Sequence, residues 1–147
     1  KLVSTHAGDV EVLTQACPGL VEQVERGALA SESTRSLVEQ YLRPLLDKGA
    51  DTIVLGCTHY PFVSDVIRDF ASPAVNVIDS AGPVARELRR RLQQNGLLAA
   101  EPRTGTETFW TTGSPEQVAT VIEQLWSRRV DVRPMPVSSE ERSASTR

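Results

Sequence analysis

The 147-residue sequence is poor in cysteine, histidine and methionine (two, two and one), and only 5% of it is aromatic. Two thiols, Cys17 and Cys57, cannot build the disulfide framework of a small secreted scaffold. Sixteen basic residues against nineteen acidic ones give a formal net charge of -3. The missing basic surplus argues against a dedicated nucleic-acid binder. No apolar run approaches the roughly 20 residues of a membrane-spanning helix, and no basic-then-apolar signal opens the chain. Hydrophobic residues still make up 39%, enough for a sizeable core, so composition describes a soluble globular protein expected in the cytoplasm. Lysine is scarce too: fourteen of the sixteen cations are arginine, and no spacing assigns them a ligand.

Strand and helix patterns alternate along most of the chain. Val10–Cys17 reads as a strand broken by Pro18-Gly19, and Leu20, Val21 and Val24 as a short helical turn stopped at Gly27. Ser31 is placed to cap a helix to about Asp47, carried by Leu37, Val38, Tyr41, Leu42, Leu45 and Leu46, with Pro44 predicting a kink or an early end. Asp51–Gly56 is a nearly all-apolar strand of the kind buried on both faces of a parallel sheet. Pro61 begins a helix bearing Phe62, Val63, Val66, Ile67 and Phe70; Val75–Asp79 is a strand; Pro83 opens a helix that closes at Asn95-Gly96. Glu107–Thr112 is a strand, and Ser114-Pro115-Glu116-Gln117 forms a capping box for an amphipathic helix ending near Trp126. Val130–Arg133 reads as an edge strand, because Pro134 and Pro136 limit pairing. Trp110 and Trp126 take core positions, and Arg86, Arg89, Arg90 and Arg91 a solvated helix face. The last ten residues, Ser138–Arg147, hold no large apolar side chain and read as a loose tail.

This alternation predicts an α/β fold with a mainly parallel sheet. Ligands in such folds bind beyond the carboxyl ends of strands, which directs the search to the ends of the Asp51 and Val75 strands. The first holds Gly56-Cys57-Thr58-His59-Tyr60-Pro61-Phe62. Gly56 permits a tight turn and close approach of a ligand. A thiol before a helix has its thiolate favoured, a neighbouring imidazole can exchange protons with it, and the Thr58 hydroxyl with loop amides suits a carboxylate. Cys57 can then serve as a nucleophile of the Cys-His type or as a base that takes a proton from carbon, and spacing does not separate the two. A metal site from His6, Cys17, Cys57 and His59 has no paired ligand spacing, so no metal is expected. The bland reading of Cys57 is a small buried hydrophobe beside a surface histidine.

The run Leu55–Phe62 resembles the second cysteine motif of the glutamate racemases, within the aspartate/glutamate racemase family. Ala16-Cys17-Pro18-Gly19 and the following residues to Glu25-Arg26-Gly27 are similar to that family's Ala-Cys-Pro segment. Tyr41–Leu45 and Ala50–Leu55 fit as well. The likeness is continuous over about residues 10 to 92 and looser to about 126. It implies an αβα lobe with a parallel sheet, in an enzyme of two pseudosymmetric lobes that interconverts L- and D-glutamate without a cofactor and supplies D-glutamate for peptidoglycan. One cysteine on each face of the planar carbanion moves the proton. By this resemblance Cys57 is one acid/base, His59 assists it, Glu25 tunes the histidine, and Thr58 and His59 bind the substrate glutamate. A homodimer is compatible with it. Cys17 falls in the Ala-Cys-Pro segment and is expected to be structural.

The resemblance also implies a gap. The family's first half carries an Asp-Ser-Gly loop and a Cys-Asn-Thr segment with the other catalytic cysteine, and this sequence has neither. With no methionine at Lys1, the chain is expected to be the C-terminal part of a racemase. Residues 1–80 would form the second lobe and 81–133 the returning segment of the first, with 134–147 as a tail; alone it would be inactive. The competing readings are an aspartate-type racemase, a non-catalytic interaction module that keeps the lobe, and a Cys-His hydrolase, which lacks a third orienting group.

Overall fold

The computed structural model describes residue 8, residues 10–99 and residues 105–136. It divides into two compact units, Lys1–Leu98 and Ala99–Arg147. His6 and the tail Ser138–Arg147 lie outside the described residues.

In the first unit, α1 (Leu20–Glu25) follows Gly19 and ends before Gly27, which takes φ +72°. Ser31 caps α2 (Glu32–Leu46), its hydroxyl accepting from the Thr34 amide at 3.2 Å. Pro44 does not end this helix early. It lies in the last turn, where its missing N–H costs one hydrogen bond at the exposed Gln40 carbonyl position. β1 (Thr52–Leu55) follows; then a 3-10 turn (Tyr60–Val63) and α3 (Ser64–Ala71) replace the single helix expected from Pro61. β2 (Asn76–Asp79) pairs parallel with β1, Thr52 opposite Asn76 and Leu55 opposite Asp79. α4 (Ala81–Gln94) closes at Asn95, with Gly96 at φ +66°.

Every buried apolar side chain among the described residues falls between Leu20 and Ala71. Ile53 and Leu55 point from β1 into this core, while Val54 on the other face is 69% exposed and Ile78 of β2 49%. The expected burial on both faces is thus met on one only, because no described element packs over Val54. α4 buries none of its residues, and its Arg90 and Arg91 pair with Glu87 on the solvated face.

The strand expected at Val10–Cys17 is not formed. Residues 10–16 are irregular, with Val10 66% and Val12 51% exposed. Their alternation encodes a half-buried strand, but a strand exists only through its ladder, and no described strand pairs with this segment.

The second unit holds β3 (Phe109–Thr111), α5 (Pro115–Trp126) and β4 (Val132–Pro134), with β3 and β4 parallel. The described strands thus form two parallel pairs, β1 with β2 and β3 with β4. Ser114 caps α5 by accepting from the Gln117 amide at 3.5 Å, and its own hydroxyl donates to Glu116 at 2.7 Å. The tryptophans are not core: Trp110 is 49% and Trp126 46% exposed. Phe109 meets Trp126 edge-on with centroids 5.6 Å apart, and the Trp126 indole donates to Glu107.

Candidate functional site

The chain leaves β1 at Leu55 and makes the Cys57–His59 turn before the 3-10 segment. The turn is closed by the Tyr60 amide on the Cys57 carbonyl (3.3 Å) and the Phe62 amide on the His59 carbonyl (3.1 Å). Gly56 is not required here for a left-handed backbone, and a Cβ on it would meet nothing within 4 Å. Cys57 is part-buried, Thr58 exposed, and the His59 side chain 34% exposed.

His59 is the centre of the arrangement. Its Nδ1 faces Cys57 Sγ at 3.8 Å and Thr58 Oγ1 at 3.5 Å. On the far side of the ring, Nε2 lies 3.5 Å from Glu25 Oε1. A neutral imidazole protonated at Nε2 would present Nδ1 to the thiol as an acceptor. α1 delivers Glu25 to this place because Leu20 and Val24 anchor the helix, at 3% and 0% exposure. Residues 25, 57, 58 and 59, predicted from separate stretches of sequence, are brought together.

A cleft of about 920 Å3 runs between residues 10–15, β1 and α2. Cys57 lines it, as do Cys17 and Tyr60, while Thr58, His59 and Glu25 lie outside its wall. Burial pushes the Cys17 thiol above its ordinary value, against a smaller downward pull from a hydrogen bond with Tyr60. Tyr60 is pushed up to about 12, first by burial and then by the neighbouring Cys17, Cys57 and Tyr41. Sequence reasoning passed over Tyr60, although it stands inside the motif; the signal available was a hydroxyl directly after the reactive triplet.

The Tyr60 shift has a testable sign. Between its ordinary value of 10.0 and about 12, the folded protein retains a proton that the unfolded chain releases. Stability is therefore full below pH 10 and falls as pH rises towards 12. Tyrosinate absorbance should show a component that ionises only near pH 12, absent in Tyr60→Phe, and Tm should fall less steeply above pH 10 in that variant. An unchanged alkaline slope would contradict the assignment.

Among the described residues no group of three or more His, Cys, Asp or Glu side chains could hold a metal ion. At the end of β2, the Asp79 carboxylate accepts from the Ala81 amide at 2.8 Å, at the start of α4. No helix among the described residues is long and apolar enough to cross a membrane.

Residues 3–88, more than half of the chain, match the family model described as Asp/Glu/Hydantoin racemase. The chain belongs to this racemase family. It is 50% identical over 135 residues to a glutamate racemase of Methylococcus capsulatus, an alignment covering 92% of this chain and 50% of the relative. Among solved racemases, glutamate racemase isoform RacE1 of Bacillus anthracis superposes with a TM-score of 0.79 at 31% identity, over 92% of this chain and 50% of that one. The Thermus thermophilus glutamate racemase, solved with β-chloro-D-alanine, gives 0.67 at 38% identity, over 86% and 48%. The chain spans about half the length of the racemases it matches. The mixed α/β fold with parallel strands is that of these enzymes.

Proposed function

We propose that this chain supplies one acid/base half-site of a glutamate racemase, which interconverts L- and D-glutamate by two-base proton transfer and provides D-glutamate for peptidoglycan. One observation carries the reading: the imidazole of His59 lies between the Cys57 thiol at 3.8 Å and the Glu25 carboxylate at 3.5 Å. A thiolate generated by His59 is compact and weakly solvated, suited to taking an α-proton from carbon. In the reverse direction the Cys57 thiol returns a proton to the same face of the carbanion. Thr58, exposed beside the pair, binds the substrate carboxylate through its hydroxyl and amide. No metal or organic cofactor enters this scheme.

Inversion needs a second base on the opposite face, and residues 1–147 contain no Cys-Asn-Thr segment to provide it. The division into a second lobe (1–80), a returning segment of the first (81–133) and a tail (134–147) belongs to this reading, as do a homodimeric assembly and a cytoplasmic place of work.

The test is the fate of the α-proton of L-glutamate in deuterium oxide. With the purified 147-residue chain, proton NMR should show slow loss of the α-proton signal, and chiral chromatography no D-glutamate. Robust D-glutamate formation by the verified chain would overturn the two-base division. Equal turnover of aspartate would shift the assignment to an aspartate-type enzyme.

A further inference from the structure

α2 carries three buried residues on one face, Thr34, Val38 and Tyr41, at 0%, 2% and 8% exposure. Their i, i+4, i+7 spacing makes a single helical stripe. Val38 is apolar, whereas the residues on either side of it end in hydroxyls. Each hydroxyl donates to a backbone carbonyl at one end of α1. Tyr41 bonds the Pro18 carbonyl at 2.6 Å, just before the Gly19 N-cap, and Thr34 bonds the Ala28 carbonyl, just beyond Gly27. The two donors are two turns apart, about 11 Å along α2, close to the about 9 Å length of a six-residue helix. The stripe therefore grips α1 at both of its ends.

The C-terminal grip falls on the turn that carries Glu25. The Gly27 amide bonds the Val24 carbonyl and the Ala28 amide bonds the Gln23 carbonyl, both at 2.9 Å. This pair of bonds is a Schellman closure, and it makes Ala28 a fixed continuation of the helix. Ala28 is then held through both of its backbone groups: the amide ties it to α1, the carbonyl to Thr34 of α2. Ser31, the cap of α2, reinforces the joint. Its hydroxyl donates to the same carbonyl at 3.3 Å and lies 2.9 Å from the Thr34 hydroxyl. Thr34 is the only buried polar side chain among the described residues. A valine of the same shape would fill its place with no partner to satisfy, so what the hydroxyl adds is the bond to the end of α1.

From this geometry we propose that Thr34 and Tyr41 are positioning residues, a two-point clamp on α1 that sets the Glu25 carboxylate against His59. The proposal rests on the reading of His59 as the relay between Glu25 and Cys57. Glu25 is the last residue of α1, directly before the Schellman turn. Its side chain is 64% exposed, so the carboxylate has little packing of its own to hold it in place. The 3.5 Å from Glu25 Oε1 to His59 Nε2 leaves no slack either, being already at the long limit of a hydrogen bond. The position of the α1 backbone therefore decides whether carboxylate and imidazole meet. Without the Thr34 bond the Schellman turn keeps its own two bonds, and α1 is free to tilt about its Tyr41 end. The expected damage is a displaced Glu25 in a folded chain.

Histidine-ring NMR on the full 147-residue chain reads the Glu25–His59 contact, the His59 signal being the one lost in His59→Gln. Glu25→Gln sets the direction and size of the shift when the carboxylate is gone. Thr34→Val and Tyr41→Phe should each move the His59 resonance the same way by a smaller amount. Thr34→Ser, which keeps the donor, should leave it at the parent position. Alkylation of Cys57 by iodoacetamide, followed by peptide mass spectrometry, should slow by about fivefold in Glu25→Gln and about threefold in Thr34→Val, because the carboxylate favours the imidazolium formed when Cys57 gives up its proton. Thr34→Val should add no further slowing to Glu25→Gln, since both act through one carboxylate, whereas a merely structural role would add its own loss. An unmoved His59 resonance in either Thr34→Val or Tyr41→Phe overturns the clamp. So does additive slowing in the double variant, or a serine variant displaced as far as the valine one. Circular dichroism separates a tilted helix from an unfolded chain, and Tyr41→Phe decides if Thr34→Val fails to fold. Neither readout uses glutamate. A His59 resonance that responds as expected, in a chain unable to exchange the α-proton of glutamate, would refute the racemase reading and leave the clamp standing.

Discussion

Replacing Cys57 with alanine in a racemase that contains this chain is expected to abolish interconversion in both directions, with kcat down by about 10²–10⁴-fold or more. The argument is one of microscopic reversibility. The sulfur that accepts the α-proton from one enantiomer donates it when the reaction starts from the other, so its loss cannot be confined to one direction. Alanine removes the only atom of residue 57 that can carry the proton. KM should change far less than kcat, since the proton is shared with the thiol in the transition state and not in the bound substrate. Progress curves from pure L- and pure D-glutamate, followed by circular dichroism, check both directions. Turnover unchanged from either side would remove Cys57 from the site.

Much of this site can be read from residue order alone, for local reasons. The strand over residues 52–55, the Ser31 cap and the stop at Gly27 each depend on residues within one or two turns of one another, and each is realised. The Cys57-Thr58-His59 triplet is likewise local, so its chemistry is legible before its geometry. Glu25 is 34 positions away from His59 in number, and periodicity could not pair them; only the family likeness suggested it, and the 3.5 Å contact supplies the geometry. The failure at Val10–Cys17 is of another kind. Apolar alternation records which face a strand would bury, but the ladder must come from a partner, and none of the described strands provides it. Val54 shows the same limit, since an all-apolar strand cannot announce that one face of its sheet is uncovered.

Ile67→Ala should cost about 2–5 kcal/mol of stability, the range for removing a buried branched side chain from a core that cannot fully collapse. Ile67 is 3% exposed on α3 and reaches the cleft floor shared by Leu20, Val38, Ile53 and Leu55. Three helices and β1 therefore converge where its side chain ends, and filling the void would require moving an element anchored elsewhere. α2 is held by Tyr41 on the Pro18 carbonyl and β1 by its pairing with β2. Set against the 5–15 kcal/mol of a typical domain, a loss of this size removes a large fraction of the total. Val84→Ala on α4 is the matched control: its side chain is 61% exposed, so its cost should stay within about 0.5 kcal/mol. Urea unfolding followed by circular dichroism should show a markedly lower midpoint for Ile67→Ala at an unchanged slope, and a midpoint near that of the parent chain for Val84→Ala. Equal midpoints for the two variants would mean that the floor of the cleft is not the core on which the Cys57 turn is built. Because that turn begins two residues after the buried Leu55, Ile67→Ala should also slow Cys57 alkylation under conditions where the chain is still folded.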